Sequence, residues 1–251
     1  MTQEKNRNNP TGKALQLLQA IMALKGQPFR PDVISQATNI PVANIYRYLD
    51  DLLKAELIIR PRRGTYLPHP LFVELMGQYS SKEVLSVLVR PYLEKLSRTL
   101  PVTLHFGILE ADMVTYLVKV TAKEESLFTE ENMQLEAYCT GIGKVLLGRM
   151  PDKVIDNYLR EDSFPALTRY TLTDPAKIRS AILDTRLQSY GTDDREIYEN
   201  LVCLAVPVFS RSGQTVGAIS AASTTLDLLG NDFADTLEKL NNTAKSITAL
   251  L

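Results

Sequence analysis

The sequence predicts an α+β chain in two parts: an N-terminal winged helix-turn-helix, then a linker helix leading to an antiparallel sheet flanked by helices. Three observations predict this. A proline-started helix, a short turn, a second helix and a basic hairpin follow one another between Phe29 and Pro68. Beyond Val102 the apolar period shortens from that of a helix to that of strands. The strands then recur without strict β-α-β alternation, and no internal repeat appears. The expected boundaries are 10–69 for the winged helix, 70–82 for the linker helix and 83–251 for the second domain.

In the first part, Pro31 suits the opening turn of a helix over Pro31–Thr38, where a missing N–H costs nothing. The turn Asn39-Ile40-Pro41 leads into a second helix, Val42 to about Glu56. Val42, Ile45, Leu49, Leu52 and Leu53 recur at three- and four-residue steps and form its buried face. Asn44, Tyr46, Arg47 and Tyr48 then fall on or near the other side, where a helix entering a major groove meets base edges. Asn44 fits either a helix cap or an adenine reader. Two β-capable runs, Leu57–Ile59 and Thr65–Leu67, flank a turn ending in Gly64, with Arg60, Arg62 and Arg63 at its tip. Three cations on a hairpin beside such a helix suit phosphate or minor-groove contacts.

Charge divides the same way. The whole chain carries a net charge of -1. Residues 1–80 hold ten Lys plus Arg against six Asp plus Glu, and the remainder holds 18 against 23. The positive half is therefore the one with the winged helix, as a nucleic-acid footprint requires. No apolar run approaches the ~18 residues of a membrane span, and the polar stretch Met1–Asn9 is unlike a signal peptide. A cytoplasmic protein is expected, with no membrane partner. Cys139 and Cys203 are too few for a disulfide framework or a cysteine-rich metal site.

The second part is read in order. Leu71–Gln78 and Val84–Leu100 are predicted helices, with a break and cap at Ser80–Glu83. Val102–Leu109 and Met113–Val120 are strands about a tight turn at Glu110-Ala111-Asp112. The polar stretch Thr121–Glu136 reads as a loop with some strand character. Gly143–Arg149, Pro151–Leu159 and Pro175–Ser189 are helices. Leu201–Phe209 and Thr215–Ser223 are strands across Ser210–Gly213, and Asn231–Leu250 is an amphipathic helix.

Three segments in this order resemble the IclR-type transcriptional regulators. They are Tyr138-Cys139-Thr140-Gly141-Ile142-Gly143-Lys144-Val145-Leu146-Leu147, then Tyr190-Gly191-Thr192-Asp193-Asp194 with Cys203–Phe209 nine residues on, then Gly213 to Ser223 with its Gly-x-x-x-Gly-Ala-Ile-Ser run. With the winged helix, the resemblance covers nearly the whole chain. It implies a GAF-like effector domain and a homodimer or homotetramer that binds double-stranded operator DNA according to a small organic acid. Aromatic, sugar and short keto or hydroxy acids all suit the family. Carried over position by position, Leu135, Gly141 and Ile142 line one side of the effector pocket and Asp193, Cys203 and Ser220 the other. Two departures stand out. Val42, Ala43 and Asn44 replace the Lys, Ser and Thr common at the start of the recognition helix, while Arg47 matches. Ala222 stands where the family often has a second hydroxyl, and Ser223 faces the other way in a regular strand.

The residues also suit the pocket physically. Gly141 and Gly143 allow close backbone approach, and N–H groups at a helix start favour an anion. The plainer readings are core packing for Cys139 and Cys203, a simple turn for Asp193-Asp194, and a second domain that only oligomerises. Enzymatic readings find little support. A phosphate loop needs Gly at Tyr138 and Ser or Thr at Val145; a dinucleotide fingerprint needs Gly at Leu146. A hydrolase built from Cys203, His105 and Asp193 remains open but leaves the winged helix unexplained. No catalysis, cofactor or metal is expected.

Overall fold

The computed structural model describes residues 9–78, 80–121, 127–160 and 163–251. Part of the predicted loop Thr121–Glu136 and most of the polar start Met1–Asn9 lie outside the described residues. The chain divides into two compact units, Met1–Ser80 and Ser81–Leu251.

In the first unit, α1 (Pro10–Ala23) is capped by Asn9, whose side chain accepts from Gly12 N at 2.6 Å. The periodicity argument had assigned no element there. Helix α2 (Pro31–Thr38) ends at Asn39 in the left-handed conformation, and α3 (Val42–Lys54) follows Pro41. Strands β1 (Ile58–Arg62) and β2 (Thr65–Pro68) form the antiparallel wing, turning at Gly64 with φ +74°. Leu17, Ile21, Ile34, Ile45, Leu49 and Tyr66 meet in one core. Phe29 bridges to Tyr66 and ties the start of α2 to the wing.

Two expectations for α3 are corrected. The helix stops at Lys54, because Glu56 takes a left-handed φ of 55° to turn into the wing. Its buried stripe runs through Ile45, Tyr48, Leu49 and Leu52, while Val42 is 37% exposed. Tyr48 thus belongs to the core rather than to the outer face. The last helix of this unit, α4 (Pro70–Gly77), buries none of its side chains within the chain.

The second unit is a six-stranded, wholly antiparallel sheet in the order β5-β4-β3-β8-β7-β6. The strands are β3 (Thr103–Glu110), β4 (Met113–Val120), β5 (Gln134–Glu136), β6 (Gly191–Asp194), β7 (Val202–Phe209) and β8 (Thr215–Ser223). Alternation sends Leu104, Phe106, Leu204, Val206, Ile219 and Ala221 to one face. There they pack with Val89 and Leu93 of α5 (Ser81–Leu96) and Leu240 and Ile247 of α9 (Phe233–Thr248). The other face is covered by α6 (Gly141–Gly148), with α7 (Asp152–Tyr158) and α8 (Pro175–Gln188) outside it.

Helix α5 starts at Ser81 and accommodates Pro91, so the expected Val84–Leu100 span moves toward the N-terminus. Helix α6 starts at Gly141 rather than Gly143, because Thr140 is its cap: the Thr140 hydroxyl accepts from Gly143 N at 3.1 Å. A Cβ at Gly143 would lie 2.1 Å from the Ala137 carbonyl oxygen, so only glycine lets α6 sit down here.

Candidate functional site

Two surfaces gather the residues singled out from the sequence, one in each unit. On α3, Asn44, Tyr46 and Arg47 are exposed, and Arg60, Arg62 and Arg63 are exposed on the wing. Asn44 is not the cap, since Pro41 takes that position; it stands free on the outer face of the first turn. Tyr48 is 4% exposed: its hydroxyl accepts from Arg47 Nη2 at 3.1 Å, and Arg47 lies over its ring at 5.0 Å. The three-residue step from Ile45 to Tyr48 already carried this signal. A groove of about 400 Å³ separates the start of α3 from the wing, lined by Arg30, Asp32, Val42, Tyr46 and Arg63.

The second site lies on the α6 face of the sheet. Cross-strand pairing sets Asp193, Cys203, Ala222 and Thr103 side by side across β6, β7, β8 and β3. The next row holds Gly191, Ala205, Ser220 and His105. Gly141 seats α6 on both rows: a Cβ there would stand 3.4 Å from Gly191 O and 3.5 Å from Asp193 N. Ile142 reaches Gly107 of β3. Leu135 sits on β5, the opposite edge strand, half-buried against the cluster that contains Ile142, Cys139 and Cys203.

Asp193 is wholly buried and holds the next loop in place. Its Oδ1 accepts from Glu196 N at 2.7 Å and Ile197 N at 3.4 Å. Its Oδ2 has no nitrogen or oxygen partner among the described residues, and the thiol of Cys203, its cross-strand neighbour, is the polar group beside that carboxyl. Burial raises its pKa to about 7, although nearby Lys144 and the two N–H donors pull the other way. Lys144 extends from α6 to Thr192 O at 3.0 Å and pairs with the Glu196 carboxylate. Burial also raises the pKa of Glu196 against the pull of that lysine.

Lys144, Glu196, Thr103 and Thr129 are not among the site residues expected from the sequence. The alternation of Thr103, His105 and Gly107 with Leu104 and Phe106 was the available signal for the polar face of β3. His105 Nε2 hydrogen-bonds Thr129 Oγ1 at 2.8 Å, and burial, helped by Lys119, lowers its pKa to about 3. Both thiols are pushed upward, chiefly by burial. Cys203 and His105 stand on different rows with β8 between their strands. A protonated thiol, a histidine that accepts no proton near neutral pH and that separation overturn the hydrolase reading. No group of three or more His, Cys, Asp and Glu suited to a metal occurs among the described residues. No described helix is long and apolar enough to cross a membrane.

Comparison with known proteins matches this architecture. The solved IclR of Thermotoga maritima superposes with a TM-score of 0.62 at 21% identity, over 95% of this chain and 97% of that one. An IclR homologue from Microbacterium hydrocarbonoxydans, solved in complex with 4-hydroxybenzoate, gives 0.62 at 20% identity over 94% and 96%. The Pca regulon regulatory protein of Pseudomonas putida is 31% identical over 192 residues, or 76% of this chain and 66% of that protein. Residues 77–249 match the family model for the bacterial transcriptional regulator IclR C-terminal region. With the winged helix in front of that region, the chain belongs to the IclR family of transcriptional regulators.

Proposed function

We propose that this regulator binds operator DNA through α3 and the wing, and that a small carboxylate held beneath α6 changes that binding. The observation that carries the sensor reading is the unpartnered Oδ2 of the buried Asp193, a residue whose backbone N lies against Gly141 at the start of α6. An orphaned buried polar atom costs about 1–3 kcal/mol, which a ligand atom bonded there would recover. The first-turn N–H groups of Gly141 and Ile142 have no intrahelical acceptor, and Thr140 takes only that of Gly143. With its Oδ1 occupied, a protonated Asp193 donates from Oδ2. Together these donors suit a carboxylate. Leu135, Cys203 and Ser220 supply the remaining walls.

Ligand binding is therefore expected to fall as pH rises through about 7, the point at which Asp193 loses its proton. Coupling to DNA follows from unequal affinity for two states, typically ~1–3 kcal/mol. The exposed apolar side chains of α4, Leu71, Val73, Leu75 and Met76, support assembly into a homodimer or homotetramer. In a dimer, two α3 helices reach successive major grooves about 34–36 Å apart.

A thermal-shift screen against aromatic, sugar and short keto and hydroxy acids tests the sensor. An acid at 100 times its Kd stabilises by about 2.7 kcal/mol. Asp193→Ala is expected to lose that shift while operator binding persists. Silence across the whole panel would leave an oligomerising scaffold instead. For the DNA surface, Arg47→Ala is expected to weaken operator binding by roughly 1–3 kcal/mol if the guanidinium reads a base. Unchanged affinity in a gel-shift titration would remove that role, and leave Arg47 as a brace on Tyr48.

A further inference from the structure

The row that begins at Asp193 ends in a second orphan. Thr103 is wholly buried, and its hydroxyl has no hydrogen-bond partner among the described residues. It lies on the same face as Asp193, opposite Ala222, with only Cys203 and Ala222 between them in the row. Ala222 is where the second hydroxyl of the resembled pattern is missing. Ser223 does not replace it: its Oγ bonds Thr225, and alternation turns it to the other face. The cross-strand neighbour does offer a hydroxyl, on the adjacent strand.

We propose that Thr103 is the residue that reads the far end of the effector, and that the effector is an extended hydroxy acid rather than a two-carbon acid. This rests on the reading of the Asp193 site as an effector pocket. The span follows from the sheet. Three strand spacings of ~4.8 Å separate β6 from β3. Two hydrogen bonds of ~2.8 Å then leave roughly 9 Å between the polar ends of a ligand that touches both orphans. That span calls for an acid with polar groups at opposite ends of a body at least the size of an aromatic ring. The carboxylate belongs at the Asp193 end of the row, against whose backbone the first residue of α6 is seated. The Thr103 end offers one neutral hydroxyl, able to donate or accept, and so selects a hydroxyl or carbonyl oxygen. The neighbouring His105 stays neutral and is engaged by Thr129, so it supplies no charge for a second carboxylate.

Calorimetric titration of the full chain with 4-hydroxybenzoate, benzoate and glyoxylate tests this, using Thr103→Val and Thr103→Ser. The wild type is expected to prefer 4-hydroxybenzoate over benzoate roughly ten-fold, the worth of one net hydrogen bond, and to bind glyoxylate most weakly. Thr103→Val, which keeps the shape and removes the hydroxyl, should abolish the preference and leave benzoate affinity unchanged; Thr103→Ser should keep the preference. Retention of the preference in Thr103→Val overturns the proposal while the sensor reading stands, and so does tightest binding of glyoxylate. Binding of none of the three acids, to wild type or variants, overturns both. A ligand-free readout separates binding from structure. Deleting an orphaned hydroxyl without changing shape should raise the melting temperature of Thr103→Val. A clear fall would mean that the hydroxyl serves the fold, and would overturn its assignment to the ligand.

Discussion

The two faces of the six-stranded sheet are made from alternate residues of the same strands, yet they are built to opposite ends. Toward α5 and α9 the strands present Leu104, Phe106, Leu204, Val206 and Ile219, all fully buried with apolar neighbours. Toward α6 they present Thr103, His105, Asp193, Cys203 and Ser220, equally enclosed but polar. Burial alone does not distinguish the faces; the state of the polar groups does. The first face satisfies the rule that interiors are apolar and close-packed. Among the described residues, Asp193 Oδ2, Thr103 Oγ1 and Glu196 Oε2 are without partners on the α6 side, against Thr236 Oγ1 of α9 on the other. Both faces carry a large apolar cluster, so the sheet is packed from both sides, and the α6 face keeps its unpaired polar groups at some cost to stability.

The largest effect expected on the polar face comes from Lys144, the cation closing one flank. Lys144→Met strands Glu196, and breaking a buried pair typically costs about 3–5 kcal/mol. Part of that is recovered, because Glu196 already has a raised pKa and takes up a proton when its partner is gone. The sign follows from linkage. A carboxylate whose folded pKa lies above its unfolded value loses stability as pH rises between the two. Chemical denaturation should therefore show a loss of about 2–3 kcal/mol at pH 8, below the full cost of a broken pair, and a smaller loss at pH 5. Equal losses at both pH values would mean that Lys144 contributes packing rather than charge.

Asp193→Asn sharpens the comparison further. The amide keeps the oxygen that accepts from Glu196 and Ile197 and supplies a permanent donor where the protonated acid has one. Wild-type stability should fall as pH rises from about 4 through 7, as the raised pKa of Asp193 requires. The asparagine variant should lack that component and be more stable by about 1–3 kcal/mol at pH 8, with little change at pH 4. Its affinity for a carboxylate should also lose its dependence on pH. If the variant instead binds nothing at any pH, a negative Asp193 is what the ligand requires, and the assigned anion end is wrong.

What could be read from the residues alone follows the same division. Apolar alternation marks strands whether or not the intervening residues are polar, so β3, β4, β7 and β8 were legible almost to their ends. The helix-turn-helix was legible because Ile45, Leu49 and Leu52 keep one period, though Tyr48 belonged to that period and its hydroxyl drew it to the wrong face. Helix α6 begins two residues before the expected Gly143, because Thr140 caps it and opens the first turn at Gly141. Thr103 was beyond reach for another reason. Its meaning lies in the cross-strand register with Ala222, over a hundred positions away, and no local pattern encodes that pairing.

The smallest expected effect is also the most direct contrast, since it compares two adjacent residues. Ile219 and Ser220 follow one another in β8 and point to opposite faces. Ile219→Val removes one methylene from the packed side and should cost about 0.5–1.5 kcal/mol. Ligand affinity should not change, because no ligand group reaches that face. Ser220→Ala removes a hydroxyl from the binding side, and its stability should stay within about 1 kcal/mol of wild type, the net worth of one hydrogen bond, while carboxylate affinity falls. The two measurements, denaturation and titration, should therefore move in opposite variants. A ligand effect from Ile219→Val would mean that strain passes through the sheet and that the faces are coupled. A large stability loss from Ser220→Ala would place that hydroxyl in the fold rather than in the pocket. Either result would dissolve the separation between the two faces at the one strand where it can be tested within two residues.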